Sequence, residues 1–168
     1  NLVAYSWGET NIHAGDEIIV SAIEHHSNLV PWQELCRRKN AKLRIIPIKE
    51  NLVLDLESYG KILSNKTKLV SITGMSNVLG FIPNLPKIIK AAHKVGALVM
   101  VDAAQSAAHI KTDVKKLNCD FLAFSSHKLL GPTGVGILYG KFSHLSDMPP
   151  FMFGGDMVKA VQQEKAYW

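Results

Sequence analysis

Four short strings in this chain end in groups that bind or react: Glu24-His25-His26, Ser76-Asn77, Asp102-Ala103-Ala104-Gln105 and Ser125-Ser126-His127-Lys128. Lys128 is the most informative. It follows an apolar run and a Ser-Ser-His triplet, and it precedes Leu129-Leu130-Gly131-Pro132-Thr133-Gly134-Val135-Gly136. A lysine at the lip of a sheet, partly desolvated and near other cations, can have its pKa lowered until its amine acts as a nucleophile, which opens Schiff-base chemistry. Each residue taken alone has a plainer use: Lys128 as a surface charge, Asp102 as a helix cap or turn residue, His25 as a packed or exposed imidazole, and Asn77 as a turn former. Their coincidence on one rim is the functional signal.

Other chemistries fit poorly. Gly131, Gly134 and Gly136 follow the lysine instead of preceding it, and no helix obviously comes next, so they do not form a P-loop; their use is to let the chain turn and re-enter a sheet. His25 and His26 are adjacent and diverge on either a strand or a helix, and neither HExxH nor Cys/His ligand spacing occurs. No metal site is expected.

The elements that must position these groups alternate. Glu17–Ala22 reads as a strand after the turn Ala14-Gly15-Asp16, and a helix opens at Ser27 with Pro31 in its first turn and runs through Lys39. Lys42–Ile48 reads as a strand, Asp55–Leu63 as a helix and Lys68–Thr73 as a strand. Pro86–Val95 carries Ile88, Ile89, Ala92 and Val95 at helical spacing, with Gly96 as its stop. Strands at Ala97–Val101 and Phe121–Ser125, a short helix near Asp113–Leu117 and a last strand at Gly136–Tyr139 complete the series. Apolar runs without alternation, separated by amphipathic helices, imply an α/β fold: a mostly parallel sheet with helices on both faces. In such folds chemistry gathers outside the carboxyl ends of the strands, where all four strings fall.

The 168 residues are 47% hydrophobic and 20% charged, which excludes disorder and suits one core. The net charge of +5 is scattered apart from Arg37-Arg38-Lys39 on a helix end, so it reads as solubility and helix-dipole complementation instead of a nucleic-acid surface. The charge-free stretch from Leu69 to Pro86 contains Gly74, Asn77, Gly80, Pro83, Asn84 and Pro86 and does not span a bilayer. Cys36 and Cys119 lack CxxC spacing, which favours a reducing, cytoplasmic setting, with a plastid or mitochondrion as the alternative. The first residues, Asn-Leu-Val-Ala-Tyr-Ser-Trp, and the ending Tyr167-Trp168 read as cuts within a longer chain.

Together, Glu24-His25-His26-Ser27-Asn28, Ser76-Asn77-Val78-Leu79-Gly80, Val101-Asp102-Ala103-Ala104-Gln105 and Ser125 through Gly136 resemble the pyridoxal-phosphate (PLP)-dependent cysteine desulfurases, in particular the SufS/CsdA-like group of class-V, fold type I aminotransferase relatives. The likeness runs through Phe153-Gly154-Gly155-Asp156-Met157, and its departures are mild, such as Ala103 where many relatives have Gly. It implies that residues 1–168 are the large PLP-binding domain, incomplete at both ends and without the C-terminal small domain. Lys128 matches the lysine in Schiff-base linkage to PLP, and Asp102 the carboxylate paired with the pyridinium nitrogen. Gln105 matches the residue bonded to the cofactor phenolate, and His25 the imidazole stacked on the ring. Ser125 and His127 match phosphate ligands, and Asn77 a residue facing cofactor and substrate carboxylate. The implied reaction takes sulfur from L-cysteine as an enzyme persulfide for iron-sulfur cluster assembly and releases L-alanine. Lys128 and His25 would be catalytic, and the setting a homodimer with a sulfur-acceptor protein as a possible partner. The persulfide cysteine and the substrate-binding arginine are expected beyond Trp168, leaving Cys36 and Cys119 structural. The alternatives are a selenocysteine lyase or kynureninase-like enzyme on the same scaffold, or a fragment that binds without turnover.

Overall fold

The computed structural model describes residues 1–168. Five strands, β1 (Glu17–Ser21), β2 (Lys42–Ile46), β3 (Thr67–Thr73), β4 (Leu98–Asp102) and β5 (Phe121–Ser125), run parallel in the order β2-β1-β3-β4-β5. A sixth, β6 (Gly136–Gly140), returns antiparallel to β5. The expected mostly parallel α/β sheet is present, and β6 is its one antiparallel member.

Helices cover both faces because successive strand residues point to opposite sides. On one face Ile19, Val70, Ile72, Val99 and Val101 meet Tyr59 of α3 (Leu56–Ile62) and Ile88, Ile89 and Ala92 of α4 (Leu85–Lys94). On the other, Ile18, Val20, Leu69, Met100 and Phe121 pack on Trp32 and Leu35 of α2 (Val30–Lys39) and on Trp7. Trp7 belongs to an N-terminal helical segment, π-helical over Ala4–Gly8 and continuing as α1 (Glu9–Asn11). Tyr59 donates its hydroxyl to the Ile88 carbonyl at 3.0 Å, so even this large buried ring has its polar end satisfied.

Local chemistry sets the boundaries. Asp55 caps α3 by accepting the amides of Glu57 and Ser58, Asn84 caps α4 through Lys87, and Asp113 caps α5 (Val114–Leu117) through Lys115 and Lys116. β2 stops at Ile46, short of the expected Ile48, since Pro47 has no N–H to give the ladder. β4 extends one residue further than expected, so Asp102 is the last residue of the strand. The helix expected from Ser27 begins at Val30; His26–Asn28 form a separate 3-10 turn. Beyond the sheet, α6 (Phe142–Asp147) and a two-stranded hairpin of β7 (Ala160–Val161) and β8 (Ala166–Tyr167) follow, none of them anticipated. No helix is long and apolar enough to cross a membrane.

Candidate functional site

The order β2-β1-β3 means that the chain leaves β1 in one direction and comes back on its other side, so the connections diverge between β1 and β3 and open a crevice at their carboxyl ends. A cavity of about 350 Å³ lies there, lined by residues that end β1, β3, β4 and β5. His25, Asn77, Asp102, Gln105, Ser125, His127 and Lys128, the seven residues singled out in the sequence, all line it. The sequence reading missed four further lining residues: Ser27, Thr73, Met75 and Ala104. Thr73 could have been found as the last residue of its strand, and Ser27 by its position two residues after His25.

Local hydrogen bonds hold the side chains of His25 and Asp102 and shape the loop of Asn77. His25 caps the 3-10 turn with its ring: Nδ1 accepts the Ser27 amide at 3.2 Å and lies 3.0 Å from the Ser27 hydroxyl. With Nδ1 accepting, the neutral ring carries its proton on Nε2. Asp102 accepts the Ala104 amide on Oδ1 at 2.9 Å, the turn role open to it from sequence, and its Oδ2 makes no hydrogen bond within the chain. The local turn thus orients the carboxylate while leaving one oxygen for a ligand. Asn77 sits in a loop whose geometry comes from its neighbour, since the Ser76 hydroxyl accepts the amides of Val78 and Leu79.

Lys128 and His127 lie on a 3-10 turn, Ser126–Leu129, that leaves β5 directly. The turn is closed by the Ser126 hydroxyl donating to the Pro132 carbonyl and by the Gly131 amide donating to the Ser126 carbonyl at 3.0 Å. Gly131 packs closely on the turn, since a Cβ there would come within 3.1 Å of Ser126, while the left-handed backbone position at the end of the turn falls to Leu130, with φ 63°. Lys128 itself is exposed, in contrast to the partial desolvation expected, because its turn stands above the sheet rim. It forms no ion pair or hydrogen bond within the chain, so its side chain is uncommitted and can reach into the cavity that it lines.

Cys36 and Cys119 are buried and unpaired, and neither reaches the cavity. Burial pushes both thiols up to about 11, with the adjacent Asp120 adding to the effect at Cys119. They are packed structural residues. No group of three or more His, Cys, Asp or Glu side chains is arranged to hold a metal ion.

The chain is 47% identical over 168 residues to a probable cysteine desulfurase of Halalkalibacterium halodurans, covering 100% of this chain and 41% of that protein. Its fold superposes with a TM-score of 0.96, at 41% identity, on a crystal structure of the Escherichia coli cysteine desulfurase CsdA, over 99% of this chain and 42% of the other. A C-DES variant with glycine covalently linked to its PLP cofactor matches at a TM-score of 0.79 and 26% identity, over 94% of this chain and 43% of that one. The chain spans about two-fifths of the length of the curated relatives it matches. The sequence profile of the class-V aminotransferases matches residues 1–168 throughout, and the chain belongs to that family.

Proposed function

We propose that residues 1–168 are the PLP-binding core of a cysteine desulfurase. The observation that carries this reading is the convergence, in one crevice, of a free amine, a carboxylate with an uncommitted oxygen, two side-chain amides, two imidazoles and hydroxyls. The cavity is at the low end of the usual ligand-site range, which suits a small ring. Its donor set fits PLP in kind: Lys128 for the aldehyde, Asp102 Oδ2 for the ring nitrogen, Gln105 for the phenolate, Ser125 and His127 for the phosphate, His25 for the ring face, and Asn77 toward the substrate.

When bound, PLP supplies an electron sink for negative charge at the α-carbon of an amino acid. Lys128 Nζ would hold the cofactor and would be the base that takes and returns the proton at the substrate α-carbon. The Asp102 carboxylate would keep a proton on the ring nitrogen, through the oxygen that the Ala104 amide leaves uncommitted. In the net reaction L-cysteine and a thiol give L-alanine and a persulfide: the Cβ–S bond breaks, an S–S bond forms, and the thiol proton ends on the alanine methyl group. Neither Cys36 nor Cys119 suits the thiol, being buried and remote from the cavity. That cysteine and a cation for the substrate carboxylate belong to the remainder of the full-length protein, working as a homodimer.

The test uses the full-length protein. Loaded with PLP, it should show a long-wavelength absorption band that borohydride traps and that Lys128→Ala abolishes, and it should release alanine from L-cysteine. A band that survives Lys128→Ala overturns the assignment of the lysine. Binding of PLP without alanine or persulfide from L-cysteine would favour another lyase on this scaffold.

A further inference from the structure

Below the cavity, and outside its lining, the carboxyl of Glu24 is enclosed between the ends of β1 and β3. The β1–β3 ladder has its last pair at Val20 and Ser71, and β1 ends at Ser21, so the Thr73 amide lies past the end of its neighbouring strand. Glu24 Oε1 receives that amide at 3.0 Å, doing the work of the missing strand carbonyl. Oε2 accepts the Asn28 side-chain amide at 2.6 Å, and the Ser21 hydroxyl meets Oε1.

The direction of every bond in this group but the one between Ser21 and Glu24 is determined. Indole N–H only donates, so the 3.1 Å bond from Trp32 Nε1 turns Asn28 Oδ1 toward Trp32, where Oδ1 also accepts the Ser71 hydroxyl at 2.6 Å. Asn28, 3% exposed, must then present its NH₂ to Glu24. Thr73 N–H can only donate as well. Both Glu24 oxygens are therefore committed as acceptors from nitrogen, and only the Ser21 contact can reverse to take a proton from a neutral Glu24.

We propose that Glu24 is a positioning residue for the reaction set out above, fixing the separation of two cavity walls: His25, its neighbour in the chain, and the Thr73–Asn77 segment. The inference rests on the PLP reading. It is consistent with the electrostatics, since burial pushes the carboxyl up to about 7 and the charge of Asp102 on β4 adds to this, against the hydrogen bonds from Ser21, Asn28 and Thr73.

In the full-length protein, PLP affinity by absorbance titration and hydrogen exchange at the Thr73 amide are compared for wild type, Glu24→Gln and Glu24→Gln/Asn28→Asp. Glutamine offers one acceptor where two are needed, so the single variant is expected to weaken PLP binding and accelerate exchange at Thr73, each by about tenfold. The double variant reverses the bond between residues 24 and 28 while leaving acceptors for Trp32, Ser71 and Thr73, and it should restore both readings to within about threefold of wild type. An unchanged affinity in Glu24→Gln, or a double variant no better than the single one, overturns the positioning role while leaving the function intact. A wild-type protein that forms no Lys128-dependent adduct overturns both.

Discussion

His93 Nε2 stands 2.8 Å from Asp120 Oδ2, at the opposite end of the sheet from the cavity. The same carboxylate accepts the Val99 amide at 2.7 Å, Lys141 Nζ at 2.7 Å and His144 Nε2 at 3.3 Å, tying α4, β4 and the start of α6 to β5. Burial by itself pushes the Asp120 carboxyl up, but the bonds from Lys141, His93 and Val99 outweigh it and hold the pKa below the usual carboxylate range. A depressed native pKa stabilises the fold above the unfolded value, near pH 4, and that stabilisation is lost as pH falls through the native value. Asp120→Asn is therefore expected to lose about 2 kcal/mol at pH 7. Urea denaturation of both proteins should show this gap closing below about pH 4; a gap that is constant with pH would count against the assignment.

The second prediction concerns the exit of β3. The Gly74 amide donates to the Asp102 carbonyl at 2.7 Å, and a Cβ at residue 74 would lie 2.4 Å from Ser106 Oγ and 3.1 Å from Ser106 Cβ. Ser106 is 5% exposed; its hydroxyl can turn into the neighbouring cavity that both residues line, but its Cβ is fixed by the backbone. Gly74→Ala should cost about 2 kcal/mol through overpacking and should weaken PLP binding by moving Asp102. Removing the obstruction with Ser106→Gly should recover most of the loss. Thermal denaturation of the four proteins of this cycle decides the matter, since additive losses would mean that the two sites do not meet.

Regions of the molecule differ in how far they could be read from sequence. The parallel strands were legible because burial on both faces leaves uninterrupted apolar runs, and the site was legible because those runs end in chemically capable residues. The N-terminal helical segment was not: no side-chain hydrogen bond caps it, and it is held by packing on a distant strand, Trp7 on Phe121, with ring centroids 6.2 Å apart. The hydrogen-bonded group at Glu24 was equally hidden. Asn28 and Ser71 are 43 residues apart in the chain, and no local pattern signals that they meet. His93, Asp120 and His144 escaped notice for the same reason, because each looks like an ordinary helix or turn residue until the sheet brings them together.

A third prediction follows from the two thiols. Both are buried, with Cys119 at 0% and Cys36 at 5% exposure, and burial pushes both up to about 11, so the reactive thiolate is scarce at pH 8. An aromatic disulfide reagent at that pH should modify neither residue in the folded protein and both in denaturant. Mass-spectrometric mapping of the labelled peptides reads this directly, and rapid modification of Cys36 or Cys119 without denaturant would reopen the question of a sulfur-carrying role.

Glu24 gives the last prediction, and its sign is opposite to that of Asp120. Its native pKa of about 7 lies above the unfolded glutamate value near 4.3, so the native state binds a proton more tightly between these values. The associated stabilisation is fully present below about pH 4 and is lost as pH rises through 7. Its full size is roughly 4 kcal/mol at most. Glu24→Gln cannot titrate, so the pH-dependent part disappears, although a constant loss from the unsatisfied donor remains. Denaturation of wild type and variant at pH 5 and pH 8 cancels the contributions of all other groups in the difference. The wild-type advantage over Glu24→Gln should therefore shrink from pH 5 to pH 8, and an advantage that grows over this interval would show that the carboxyl is held ionised by Thr73, Asn28 and Ser21 despite its burial beside Asp102.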